Sequence, residues 1–196
     1  MKSRIFLASA AALALAACGG GSEADNAAAD NVAMEAMPAD EAAMANTAAA
    51  EAPMPANGSE YATMAAASDL YEVESSRIAA EKSQNPQVRE LAEMLIRDHE
   101  KSTADLKTAA QQATPAIVVT PALTPEQEMQ LAALRSAPAA DFDRLYINQQ
   151  IPAHEKALAM LRHYSQNGDA EPLKAHATAV IVPVEMHLER ARSMQM

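Results

Sequence analysis

The chain is short of the residues that most often announce a chemistry. Tryptophan is absent, tyrosine occurs four times and phenylalanine twice, so Ala, Leu, Ile, Val and Met must make the core, which favours closely packed helices. The single cysteine, Cys18, excludes an intramolecular disulfide and any zinc site of clustered thiolates. Glycine is scarce, with five in all. Its one cluster, Gly19 to Gly21, opens no helix, which excludes a phosphate loop and a dinucleotide fingerprint. No nucleophile arrangement of the hydrolase type is present either. Basic residues are outnumbered, 15 against 26 acidic, for a formal charge of −11. A surface of that sign is a poor partner for nucleic acid.

What is present divides into three zones. Residues 1–18 start with Lys2 and Arg4, continue through the apolar run Ile5 to Leu15, and close on Leu15-Ala16-Ala17-Cys18. The segment resembles a bacterial lipoprotein signal peptide ending in its lipobox, and it is too short to be kept as a membrane span. The resemblance implies that Cys18 is the lipidation site and first residue of the mature chain, with acyl chains as the membrane anchor. Gly19 in the next position favours the outer membrane, facing the periplasm.

Residues 19–58 are rich in Ala with scattered Gly, Asn, Pro and Met. They hold seven acidic residues (Glu23, Asp25, Asp30, Glu35, Asp40, Glu41, Glu51) and no Lys or Arg. Little in them can build a core, so the expectation is a disordered tether. Its span is roughly 35 Å, from about 5 to 6 Å times the square root of its length. Met34, Met37, Met44 and Met54 are soft thioethers that could collect Cu(I), although no His stands beside them and Met is ordinary filler in Ala-rich coil.

From Ser59 to Met196 the pattern is all-helical. The first helix is expected over 59–84, and Asn85-Pro86 supplies the N-cap and first position of the second, which ends near Ala113 before Pro115 and Pro121. A long connection carries a short amphipathic helix from Glu126 to about Arg135, opened by Thr124-Pro125. The third long helix covers about 139–166 and stops at Asn167-Gly168. Asp169 is expected to cap the fourth. The short connections make antiparallel neighbours, and the whole reads as a four-helix bundle with an extra helix in its long crossing.

Three of these helices carry an apolar stripe in alternating steps of four and three, each interrupted by one histidine. The stripes are Val88, Ala92, Leu95, His99, Ser102, Leu106, Ala109; then Ile147, Ile151, His154, Leu158, Leu161; then Leu173, Ala177, Val180, Val184, His187, Ala191, Met194. On the first helix Ala67, Leu70, Glu74 and Ile78 form a shorter stripe. Buried polar groups need partners, so Glu74, His99, His154 and His187 are expected to share one layer, bound to one another, to water or to a metal. Asp98 and Glu155 adjoin stripe histidines and are candidates for supporting them from outside the layer. His163 lies about 180° around its helix from His154 and should face solvent, while His176 is placed at the surface or the end of the bundle. Pro152 and Pro183 fall inside helices shortly before His154 and His187, freeing the carbonyls of Asn148 and Ala179.

The segment NPQVRELAEMLIRDHEKSTADL, the Phe142-Asp143 to Tyr146 step toward His154, and the Pro183 to His187 close resemble a bacterial envelope family, domain of unknown function 4142. The resemblance covers nearly all of residues 60–194 and includes Glu74, Asp98-His99, His154 and Pro183 to His187. It implies a ferritin-like four-helix bundle, exported or membrane-associated, with no established reaction. A carboxylate di-iron centre does not follow, because such bundles use Glu-x-x-His pairs and this chain has none. One Glu and three His suit a mononuclear zinc, iron or copper site. The alternatives are a structural polar network in a module that binds another envelope protein, a metal-binding protein without turnover, and, least favoured, a metal-dependent oxidoreductase.

Overall fold

The computed structural model describes residues 54–195. Cys18, the signal segment, and Met34, Met37 and Met44 lie outside the described residues. Five helices follow in order: α1 (Gly58–Lys82), α2 (Pro86–Gln112), α3 (Pro125–Ser136), α4 (Ala139–Asn167) and α5 (Glu171–Arg192). Among the described residues there is no strand.

Local chemistry sets most of these boundaries. The Asn57 side chain accepts from the Glu60 amide, and the Glu60 carboxylate reaches back to Asn57 and to the Ala56 amide. Asn85 accepts from the Gln87 amide, with Pro86 beginning α2 as the sequence suggested. Thr124 and Gln127 form a reciprocal capping box on α3. Asp169 does not cap α5. The cap is Ala170, without a side-chain bond, and Asp169 instead accepts the Tyr164 hydroxyl at 2.9 Å. Gly168 does end α4, but with φ −62° and not through a left-handed turn. Its requirement is space, since a Cβ there would lie 2.7 Å from the Tyr164 ring.

The four long helices form a ring in which α1 packs on α2 and α4, and α5 packs on α4 and α2. Short connections make α1/α2 and α4/α5 antiparallel. Lys82, at the end of α1, donates to the carbonyls of Leu134, Arg135 and Ala137 just before α4 begins. Helix α4 therefore starts beside the end of α1 and runs antiparallel to it. The residue 113–138 connection crosses the length of the bundle, the single long crossover of ferritin-like folds. Within it α3 buries Leu131 and Leu134 but leaves Met129 exposed.

Aromatic residues matter more than their number suggested. Tyr61, Tyr71, Phe142, Tyr146 and Tyr164 are all buried, and full burial of a large side chain stabilises by about 1.5 to 3 kcal/mol. Each phenol has a partner: His176, Gln149, Ser76 and Asp169 for Tyr61, Tyr71, Tyr146 and Tyr164 respectively. The stripes of α2, α4 and α5 face the core, with only Val180 and Met194 partly exposed. Helix α1 is turned differently from expectation. Its inward face is Gly58, Ala62, Ala65, Asp69, Glu72, Ser76, Ala79 and Ser83, all buried and spaced by alternating fours and threes. Small and polar residues make that face, and small residues let the helices approach closely.

Candidate metal centre

Helices α2, α4 and α5 bring His99, His154 and His187 together at mid-bundle. Their rings are 5.4 to 5.8 Å apart between centroids, and one nitrogen of each lies within 4.8 Å of the other two. Metal–imidazole bonds are about 2.0 to 2.1 Å, so nitrogens on a shared ion stand no more than about 4.2 Å apart. Small ring rotations cover the difference. All three histidines are buried, at 4 %, 1 % and 1 % exposure.

The hydrogen bonds fix the tautomers. His99 Nδ1 lies 2.8 Å from Asp69 Oδ1, His154 Nδ1 2.9 Å from the Gln150 carbonyl, and His187 Nε2 2.8 Å from Asp98 Oδ2. A carbonyl and an ionised carboxylate only accept, so each of these nitrogens carries the proton. The other nitrogen of the rings that burial keeps neutral, His154 Nε2 and His187 Nδ1, is then a bare lone pair, and His99 Nε2 is one whenever that ring is neutral. None of the three has a partner among the described residues. Orienting the protonated nitrogen by a carbonyl or carboxylate is how metal-ligating imidazoles are held.

Charge is distributed unevenly over the layer. Burial lowers the pKa of His154 to about 3, with His99 and His187 adding to the effect. Burial lowers that of His187 too, against the pull of Asp98. At His99 burial is outweighed by the Asp69 hydrogen bond and the charges of Asp69, Glu72 and Asp98, and the pKa is raised. Glu72, 3.8 Å from His154 Nδ1, is pushed by burial up to about 7, with His99 opposing.

Glu74, expected in this layer, is not there. It is paired at 3.1 Å with Arg77 at the edge of α1, and Arg77 also reaches Glu100. The α1 residues at the layer are Asp69 and Glu72, and Glu72 is about 200° around the helix from Glu74 at 100° per residue. Asp98 supports His187 from α2. Glu155 is exposed and pairs with Arg192 at 2.7 Å, so it takes no part. His163 is half-buried and apart from the three. His176, expected at the surface or the end, is buried: its Nδ1 accepts from Tyr61 at 2.7 Å and its Nε2 donates to the Ser102 carbonyl at 3.2 Å. Tyr61 covers the face that the sequence left open, stacked on Tyr164 at 4.1 Å.

A cleft of about 240 Å³ between α2 and α5 has His99, His187 and Asp98 in its wall. It joins the layer to the surface. Among the described residues no helix is long and apolar enough to cross a membrane.

Solved structures of similar fold include CopM in the Cu(II)-bound form, 22% identical with a TM-score of 0.62, covering 72% of this chain and 97% of that one. CopM in the apo form is 23% identical, with a TM-score of 0.57 over 70% and 94% of the two chains. A DUF305 fragment from Deinococcus radiodurans is 16% identical, with a TM-score of 0.61 over 74% and 98%. At these identities the likeness is one of fold. No curated protein matches the sequence. The family profile for the domain of unknown function DUF4142 matches residues 43–194, and the chain belongs to that family.

Proposed function

We propose that this chain is a metal-binding module of the bacterial cell envelope, holding a single copper ion on His99, His154 and His187, with Cys18 as its lipid anchor. The observation that carries the reading is the meeting of three buried imidazoles, one nitrogen of each within 4.8 Å of the other two. Three acceptors hold one nitrogen of each ring, which leaves His99 Nε2, His154 Nε2 and His187 Nδ1 buried without a partner among the described residues. Nitrogens so placed need a metal cation or a proton between them, because a buried polar group without a partner is costly. Neutral imidazoles suit copper, zinc and iron alike. Copper is favoured because structures of the same fold hold Cu(I), Cu(II) and Ag ions in CopM. Binding without turnover is the activity proposed.

The test is a titration of the purified chain with Cu(I), Cu(II), Zn(II) and Fe(II), followed by elemental analysis after desalting. One tightly held ion per chain, lost in His154→Ala, is the expected result. No retained ion under any of the four supplies would overturn the reading. A second reading has its own observation, the raised His99 pKa: a proton on His99 Nε2 would take the cation's place, and the layer would be a structural network. The same titration separates the two.

A further inference from the structure

An ion bound by the three histidines needs a way in, because the rings are almost wholly shielded from solvent. The cleft between α2 and α5 is a surface opening with two of the three rings in its wall. A second void touching His99 measures about 20 Å³, room for one water and little else. The cleft also carries donors. Met186 lines it and is 49% exposed, although a large apolar side chain is better buried. Pro183 has no N–H, so the Ala179 carbonyl one turn earlier lacks its helical donor, and both residues line the cleft. The Asp98 carboxylate, 37% exposed, reaches from the cleft to His187 Nε2.

We infer that this cleft is the loading port for a soft monovalent cation, with the Met186 thioether as its first ligand on the way to His187 and His99. The inference rests on the three-histidine reading and adds to it a route, an entry residue and a selectivity. A thioether binds Cu(I) or Ag(I) and has little affinity for Zn(II). Met186 therefore speeds the capture of the monovalent ions alone, while a hard or borderline dication enters past Asp98 without it. Met129, 67% exposed on α3, is away from the cleft and has no such role.

The experiment measures uptake rates of Ag(I) and Zn(II) by the full chain in stopped-flow competition with a chromophoric chelator. Met186→Leu should slow Ag(I) uptake on the order of tenfold and leave Zn(II) uptake unchanged, because affinity at the buried layer is untouched and only the encounter is lost. Met129→Leu should change neither rate. Ala179→Trp, which places a large side chain at the exposed mouth of the cleft, should slow both ions. Circular dichroism confirms that the variants are folded. Wild-type Ag(I) rates in Met186→Leu, or wild-type rates for both ions in Ala179→Trp, would overturn the port. Absence of any bound ion at equilibrium in the unsubstituted chain would instead remove the three-histidine reading beneath it.

Discussion

Asp69 on α1 and His99 on α2 face each other across the helix interface with 2.8 Å between Oδ1 and Nδ1, both buried. The same carboxylate accepts from Thr103 Oγ1 at 3.2 Å through its other oxygen. A carboxylate placed so far inside the bundle orients one imidazole, and its removal leaves the Nδ1–H of His99 without an acceptor.

Asp69→Ala should therefore destabilise the domain by about 1 to 3 kcal/mol, the cost of an unsatisfied buried donor. It should also weaken metal binding on the order of 10- to 100-fold, as loss of an orienting partner does. Glu74→Ala removes a pair that is a third to a half exposed and should stay within about 0.5 kcal/mol of neutral. Thermal unfolding and chelator competition on the two variants check both statements. Equal effects would mean that Asp69 does not hold His99.

Tyr61→Phe should act on stability alone. The His176 Nε2–H donates to the Ser102 carbonyl, so Nδ1 is the acceptor, and the Tyr61 hydroxyl is its donor. Deleting the hydroxyl leaves that acceptor buried, at a cost of about 1 to 3 kcal/mol. The aromatic stack on Tyr164 is kept. Metal affinity should be unchanged, since neither residue belongs to the three-histidine cluster. A shifted metal affinity in this variant would show the two sites to be coupled.

Apolar periodicity made the bundle and the histidine layer readable where the stripe was carried by Leu, Ile and Val, as on α2, α4 and α5. Helix α1 offered no such signal. Leu70 and Ile78 drew attention to the wrong side, and both are only partly buried. The true face is marked by small residues, two carboxylates and two serines, and a four-three count over Gly58, Ala62, Ala65, Asp69, Glu72, Ser76, Ala79 and Ser83 would have found it. Glu74 interrupts an apolar run, whereas the residues that pair with buried histidines interrupt a run of alanines. The burial of His176 is hidden from its own helix for a related reason: its partner Tyr61 sits on α1, whose inward face carries no apolar stripe.

Lys82 joins α1 to the crossover. Its ammonium donates to three carbonyls, those of Leu134, Arg135 and Ala137, at 2.7 to 3.1 Å. It also lies 5.2 Å from the Phe142 ring centroid. These carbonyls end α3, where a positive charge is favourable. Lys82→Met should cost about 1.5 to 3 kcal/mol, the range for a charged hydrogen-bond donor. Hydrogen exchange in α3 should rise more than in α2. Uniform exchange across the two helices would mean that Lys82 does not pin the crossover.

The pH dependence of the metal-free protein follows from the signs of five shifts. His154, His187 and His176 have lowered pKa values in the fold, so below the unfolded value of 6.5 the unfolded chain takes up protons that the folded one refuses. Their contribution to stability is present above 6.5 and is lost as pH falls, for His154 down to about 3. Glu72 runs the other way. Raised to about 7 from 4.5, it favours the fold at low pH and loses that contribution as pH rises through 7. His99, also raised, contributes fully below 6.5 and loses that contribution only at higher pH, so it adds little slope in the acid range. Between 6.5 and 4.5 three histidines oppose one carboxyl, so stability should fall with acid, each group that is fully displaced contributing about 1.4 kcal/mol per pH unit. Replacing His154 by Leu should make the slope shallower by about one such step, and denaturant unfolding at pH 6.5, 5.5 and 4.5 measures it. Metal affinity should weaken over the same range, because protons compete for the lone pairs. A slope that is the same in His154→Leu and in the unsubstituted chain would show that His154 is not held neutral in the bundle, and the tautomer argument for the metal centre would fail with it.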